Sequence, residues 1–66
     1  ISEPRMGAYY FTLGQAYLMN GEFDEARKQF DRAQTLARES NDLALLAGTH
    51  INIAEYYMEL RQYQMA

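Results

Sequence analysis

The stretch from Gly7 to Ala33, GAYYFTLGQAYLMNGEFDEARKQFDRA, decides the fold. Apolar residues recur through it at spacings of three and four: Met6, Tyr10, Leu13 and Tyr17, then Phe23, Ala26, Phe30, Ala33 and Ala37 just beyond. Such spacing places each set on one face of an α-helix. Between them Asn20-Gly21 breaks the pattern, because both residues tolerate the left-handed conformation that closes a helix. The predicted class is therefore all-α. A first helix is expected from about Glu3 to Asn20, started by Ser2 as cap with Pro4 in the first turn, where its missing amide costs little.

Working outward, a second helix is expected from Phe23 to about Ser40. Asp24 and Glu25 sit at its positive end, and Asp24 with Lys28 and Arg27 with Asp31 are candidate pairs along its solvated face. Ser40-Asn41-Asp42 ends it, and Asp42 is placed to cap a third helix from Leu43 to about Leu60. A fourth helix is expected to open near Gln62.

Size and charge bound the rest. With 66 residues the chain buries only about 60% of the surface it exposes when unfolded, so its core is marginal. It has no cysteine for a disulfide and one histidine, which leaves no zinc site of the usual kind, so neither a metal nor a cofactor is expected. A packing partner is the natural supplement. Six Lys or Arg against nine Asp or Glu give a net charge of −3, the wrong sign for a surface that tracks phosphates, so nucleic acid is not an expected partner. No apolar run approaches the ~20 residues of a membrane span, and the N-terminal residues lack the layout of a secretory signal. A cytoplasmic setting is the expectation. The chain begins at Ile1 without an initiator Met and stops at Met65-Ala66 within an apolar-patterned stretch, and it reads as a fragment of something longer.

Internal repetition sets the architecture. Residues 7–26 and 47–66 align at an offset of 40, with only Tyr17/Tyr57 and Ala26/Ala66 identical. Size class agrees at Gly7/Ala47, Ala8/Gly48, Phe11/Ile51, Leu13/Ile53, Gly14/Ala54, Leu18/Met58 and Phe23/Tyr63. A repeat must preserve where small residues let helices approach and where bulky ones fill the gap. Gly14 and Ala54 are thus expected at close helix contacts, in antiparallel helix-turn-helix hairpins stacked as an α-solenoid.

At these residues the sequence resembles the tetratricopeptide repeat. One full copy carries Tyr10, Leu13-Gly14, Tyr17, Gly21, Phe23, Ala26, Phe30 and Ala33; a partial copy carries His50, Ile53-Ala54, Tyr57, Tyr63 and Ala66. The second departs at His50, where a large aromatic is usual, and at Arg61, where Gly21 stands in the first. The period is 40, longer than the family's usual ~34, and the extra length falls in Leu36–Leu46. The expected organisation is a single unit, 1–66, with repeat one at 7–46 and a partial repeat two at 47–66, about one and a half repeats in all.

The resemblance implies a protein-interaction scaffold that binds a peptide or helix on a concave helical face. It assigns that face to Phe11, Thr12, Gln15, Met19, Ile51, Asn52, Glu55, Met58 and Glu59, beside Ala8, Leu18 and Gly48. Methionines there adapt to different shapes, and the polar side chains hold a peptide in register. A clamp for an acidic chain terminus needs basic residues, yet no Lys or Arg occurs between Gly7 and Asn20 or between Asp42 and Leu60. A neutral or basic ligand is expected instead. The alternative is a sensory segment of a bacterial regulator that binds a small molecule or signalling peptide, as longer repeats of this kind look like those of such regulators.

An enzyme is not expected. There is no cysteine nucleophile, phosphate-cradling loop or paired-histidine motif, and His50 on an apolar stripe reads as a packing residue. At the far end, Leu43, Leu46, Ile53, Tyr56, Tyr57, Leu60, Tyr63 and Met65 are more apolar surface than so few helices can cover, so homo-oligomerisation through this C-terminal helix is expected as a possible partnership. Arg61 bears on it, since a non-glycine residue in a left-handed turn is strained by roughly 1 kcal/mol. If the turn opens, the third helix runs straight through.

Overall fold

The computed structural model describes the backbone of residues 4–65 and the side chains of residues 6–65. Ser2, Glu3 and Ala66, to which a cap, a helix start and a repeat match were assigned, lie outside the described residues. Three helices follow in order: α1 Pro4–Met19, α2 Phe23–Glu39 and α3 Leu43–Met65. Among the described residues there is no strand.

The core is built on α2. Ala26, Phe30, Ala33 and Ala37 on its apolar stripe are fully buried, because α2 is covered by α1 on one side and α3 on the other. Gly14 makes the first contact close: a Cβ built there would lie 2.7 Å from two ring carbons of Phe30. Phe30 therefore seats into the backbone of α1, where any side chain would hold it off. Leu18, Ala26 and Tyr56 complete this cluster, with Tyr17, Phe23, Ile53 and Leu60 packed around it. The contacts Gly7 with Leu36 and Gly14 with Phe30 run in opposite directions, so α1 and α2 are antiparallel. Gly7 with Leu45 and Phe11 with Gly48 advance together, so α3 runs parallel to α1.

Both interhelix turns close the same way. After α1, Glu22 N–H donates to Tyr17 O (2.9 Å) and Gly21 N–H to Leu18 O (3.0 Å), with Gly21 at φ 76°. After α2, Asp42 N–H donates to Ala37 O (2.9 Å) and Asn41 N–H to Arg38 O (3.2 Å), with Asn41 at φ 55°. These are paired Schellman stops, which require one left-handed residue each. Asp42 then caps α3 as expected, its Oδ1 accepting from Leu45 N–H at 3.0 Å.

The third stop does not form. Positions 21, 41 and 61 carry Gly, Asn and Arg. Arginine has neither the missing Cβ of glycine nor the short side chain that lets asparagine adopt the left-handed state. The fourth helix expected at Gln62 is accordingly absent, and α3 continues through Arg61 to Met65. Tyr63 follows it straight and packs on Phe23, ring centroids 5.3 Å apart. A second correction concerns Ala54: unlike Gly14 it is exposed, with no following helix packed over it among the described residues. On α2 the pair Arg27–Asp31 forms at 3.2 Å, whereas Lys28 meets Glu25 at 3.2 Å in place of the expected Asp24.

Two outcomes are expected. Gly14→Ala overpacks the Phe30 ring and lowers unfolding free energy by about 1–3 kcal/mol in urea titration. Adding Phe30→Leu returns part of that loss, a coupling that vanishes if the two residues are not in contact. Arg61→Gly lowers the helicity of Gln62–Met65, read from their Cα chemical shifts and amide exchange, while α1 and α2 keep theirs.

Candidate functional site

The groove between α1 and α3 begins where Phe11 lies against Gly48; a Cβ at Gly48 would sit 3.3 Å from Phe11 Cε2. From there Gln15 and Met19 follow Phe11 at four-residue steps along α1. Asn52, Glu55 and Glu59 follow Gly48 along α3, and such steps keep residues on one side of a helix. Thr12, Gln15, Glu55 and Glu59 are exposed, Phe11 is half-buried, and Met19 is 86% exposed at the end of its helix.

The nine residues expected on one concave surface are divided by the structure. Asn52 lies inside, with 4% of its surface exposed, packed in the α3 face that meets α2. Its neighbour Ile51 diverges from it by about 100° around the helix and is 61% exposed, as is Met58 at 62%. Ile51 and Met58 thus share a stripe with Ala47 and Ala54 on the outer side of α3, turned away from the buried face. Of the residues thought to overexpose the C-terminal part, Tyr56 is buried and Leu46, Ile53 and Leu60 are half-buried; Leu43, Tyr57, Tyr63 and Met65 are exposed.

Sequence reasoning missed the polar layer behind the groove. Gln29 on α2 is buried, and its Oε1 and the Asn52 Nδ2 have no hydrogen-bond partner within the protein. One is an acceptor and the other a donor. Thr49, fully buried one turn before, satisfies itself by donating to Leu46 O at 2.8 Å. A glutamine breaking the alanine stripe of α2 was the available signal.

Charge is distributed unevenly around the groove. The segments 7–19 of α1 and 43–60 of α3 bear no Lys or Arg, and Glu55 and Glu59 are its charged side chains. Arg27, Lys28, Arg32 and Arg38 are all carried by α2. Arg27 lies over the rings of Tyr56 and Tyr57, 5.8 and 5.3 Å from their centroids, and donates to the Tyr57 hydroxyl. Burial by itself lowers the Arg27 pKa, but the Tyr57 hydrogen bond and the Asp31 carboxylate outweigh it and hold the group above its ordinary value. Arg32 stands 5.6 Å over the Tyr10 ring. His50 is exposed and accepts at Nδ1 from Gln34 Nε2 at 3.3 Å.

A shallow, open depression of about 450 Å³ lies elsewhere, between the α1–α2 turn and Leu60, lined by Gly21, Glu22, Phe23, Asp24 and Glu25. Among the described residues no cluster of three or more His, Asp or Glu side chains is placed to hold a metal ion. No described helix is long and apolar enough to cross a membrane.

Glycine beneath an aromatic ring, a glycine-closed turn and an alanine-lined second helix are the marks of one repeat type, and the sequence profile described as tetratricopeptide repeat matches residues 7–40. The chain belongs to the tetratricopeptide repeat family. No curated protein and no solved structure gives a significant match. Repeats of this family generally mediate protein–protein interaction. The match covers α1 from Gly7 onward and all of α2, ending at Ser40, whereas α3 lies beyond it.

The orphan amide yields a test. Asn52→Leu keeps the branching and number of heavy atoms of the side chain and removes a buried donor that has no protein partner, so unfolding free energy is expected to rise by about 1 kcal/mol. Urea denaturation checks it, and a loss of stability would mean that the amide is paired in solution.

Proposed function

We propose that this chain is an interaction module that takes an extended or helical peptide, neutral or basic in character, along the groove between α1 and α3. Phe11 forms its floor beside Gly48. Thr12, Gln15 and Met19 make one wall and Glu55 and Glu59 the other. Ile51 and Met58 border it from the outer side. On this reading residues 7–46 are a complete repeat and 47–66 the opening of a second, and the module works in the cytoplasm by surface complementarity without chemistry of its own.

One observation carries the proposal: two exposed carboxylates, Glu55 and Glu59, stand on a groove whose walls, residues 7–19 and 43–60, bear no Lys or Arg. The carboxylates set the sign of the guest, because an acidic peptide meets like charge there.

Selection of random displayed peptides on the immobilised chain is expected to enrich Lys and Arg. Glu59→Lys is expected to abolish that enrichment, and Gln15→Ala to weaken capture of the selected peptides. Enrichment of acidic peptides by the unaltered chain would reject the proposal. Selection indifferent to both substitutions would place the binding surface elsewhere.

A further inference from the structure

Two parallel helices in contact have a groove on either side of their line of contact. α1 and α3 meet where Leu45 lies over Gly7 and Phe11 over Gly48; a Cβ at the two glycines would sit 2.5 Å from Leu45 Cδ2 and 3.3 Å from Phe11 Cε2. α2 fills one of the two grooves, antiparallel to both walls and packed on each. The other groove lies on the side away from α2 and is the one proposed to take a peptide. Among the described residues it holds no helix of this chain, and the residues along it constrain the shape of a guest.

Gly48, Glu55 and Glu59 mark that groove along α3 at steps of seven and four residues. At about 100° per residue these steps return to within about 20° of one line, so the three positions form a single strip. With a rise of about 1.5 Å per residue, Glu55 and Glu59 stand about 10.5 and 16.5 Å beyond Gly48. An extended guest repeats one side about every 6.6 Å, which suits the two carboxylates but falls out of phase with the Phe11–Gly48 contact. A helical guest meets all three from one face, because its own residues recur with the same rise and turn. Its direction follows from α2: an antiparallel guest opposes its dipole to those of α1 and α3, whose N-termini lie at the same end. Charge selects the side chains. The ion pairs formed among the described residues, Arg27–Asp31 and Lys28–Glu25, both lie within α2, so Glu55 and Glu59 face the groove outside them and exposed.

We propose that the guest is an amphipathic helix, antiparallel to α1 and α3, with a basic side chain opposite Glu59, a second four residues later opposite Glu55, and an apolar one seven residues after that on the Phe11 ring. This rests on the groove reading and adds to it the conformation, direction and register of the peptide. The basic groups meet no cation on either wall, since residues 7–19 and 43–60 carry no Lys or Arg. The apolar residue lands on the half-buried ring of Phe11, where Gly48 has no side chain to hold it off. Helix α2 and the guest then lie on opposite sides of the α1–α3 contact, one supplying the core and the other a removable cover.

Fluorescence anisotropy of a labelled synthetic peptide with the 66-residue chain tests each part. The probe is an eighteen-residue capped alanine–glutamine helix with lysine at its third and seventh positions and leucine at its fourteenth. It is expected to bind about tenfold or more tightly than the same residues in reverse order, or than the peptide with proline between the lysines, which breaks a helix there. Glutamate in place of the seventh-position lysine is expected to abolish binding to the unaltered chain, and Glu55→Lys to restore it. At the third position the restoring change is Glu59→Lys. Both sites on α3 are exposed, and an unchanged helical circular dichroism verifies the fold of each variant. Rescue in the crossed pairs would overturn the register, equal binding of the reversed peptide the direction, and equal binding of the proline peptide the helical conformation. Failure of every designed peptide, while basic displayed peptides are still captured in a Glu59-dependent way, would overturn this inference and leave the groove reading standing. Loss of that capture as well would reject both.

Discussion

The seating of the Phe30 ring on Gly14 is the contact on which the rest of the molecule depends. It brings α1 against α2 more closely than any side chain at position 14 would allow, and it buries the alanine stripe of α2 that α3 then covers from the other side. A chain this short has little surplus burial to spend, because most of a small domain lies near its surface. Of the fully buried side chains, Ala26, Phe30, Ala33 and Ala37 belong to α2 and Thr49 to α3. Placing α2 at the centre leaves α1 and α3 side by side and parallel, and the groove is the gap between them.

Helix punctuation decides which surfaces remain open. Gly21 and Asn41 reach the left-handed state that a Schellman stop needs, and each is followed at once by a new helix. Arg61 at the next equivalent position is a poor candidate for that state, so the helix continues. Tyr63 then finds Phe23, which gives the straight continuation a packing contact of its own. A single residue type thus separates a closed hairpin from a 23-residue helix with an uncovered side.

Much of this was legible in the sequence, and the reasons differ by element. The three-and-four spacing placed α1 and α2 to within a residue or two, and the turn residues at 20–21 and 40–42 marked both breaks. The cap at Asp42 and the Arg27–Asp31 pair follow from local rules and form as those rules require. The course of α3 past Arg61 was a balance between repeat symmetry, which asks for a turn, and backbone strain, which opposes it. Strain prevailed. The position of Asn52 was not legible, because its polarity and its alignment with the exposed Thr12 both suggest a surface residue. Where a residue falls around a helix depends on which side the neighbours occupy, and α3 meets α2 with a different side from the one α1 uses.

That rotation is what gives α3 two unlike surfaces. In α1 the side bearing Gly14 is spent on α2, and Gly7 lies against both Leu36 of α2 and Leu45 of α3. In α3 the opposite side is spent on α2, so the small-residue side is released to solvent while the residues between the two sides border the groove. Asn52 and Ile51, adjacent in the chain, therefore belong to different environments: one buries an unpaired amide, the other joins an apolar stripe. The two surfaces ask for different guests. An acidic groove favours polar or basic chains, whose hydrogen bonds replace those lost to water, whereas the stripe rewards only close apolar packing. A chain with so few helices can keep both surfaces open because the helix between α1 and α3 already carries the core.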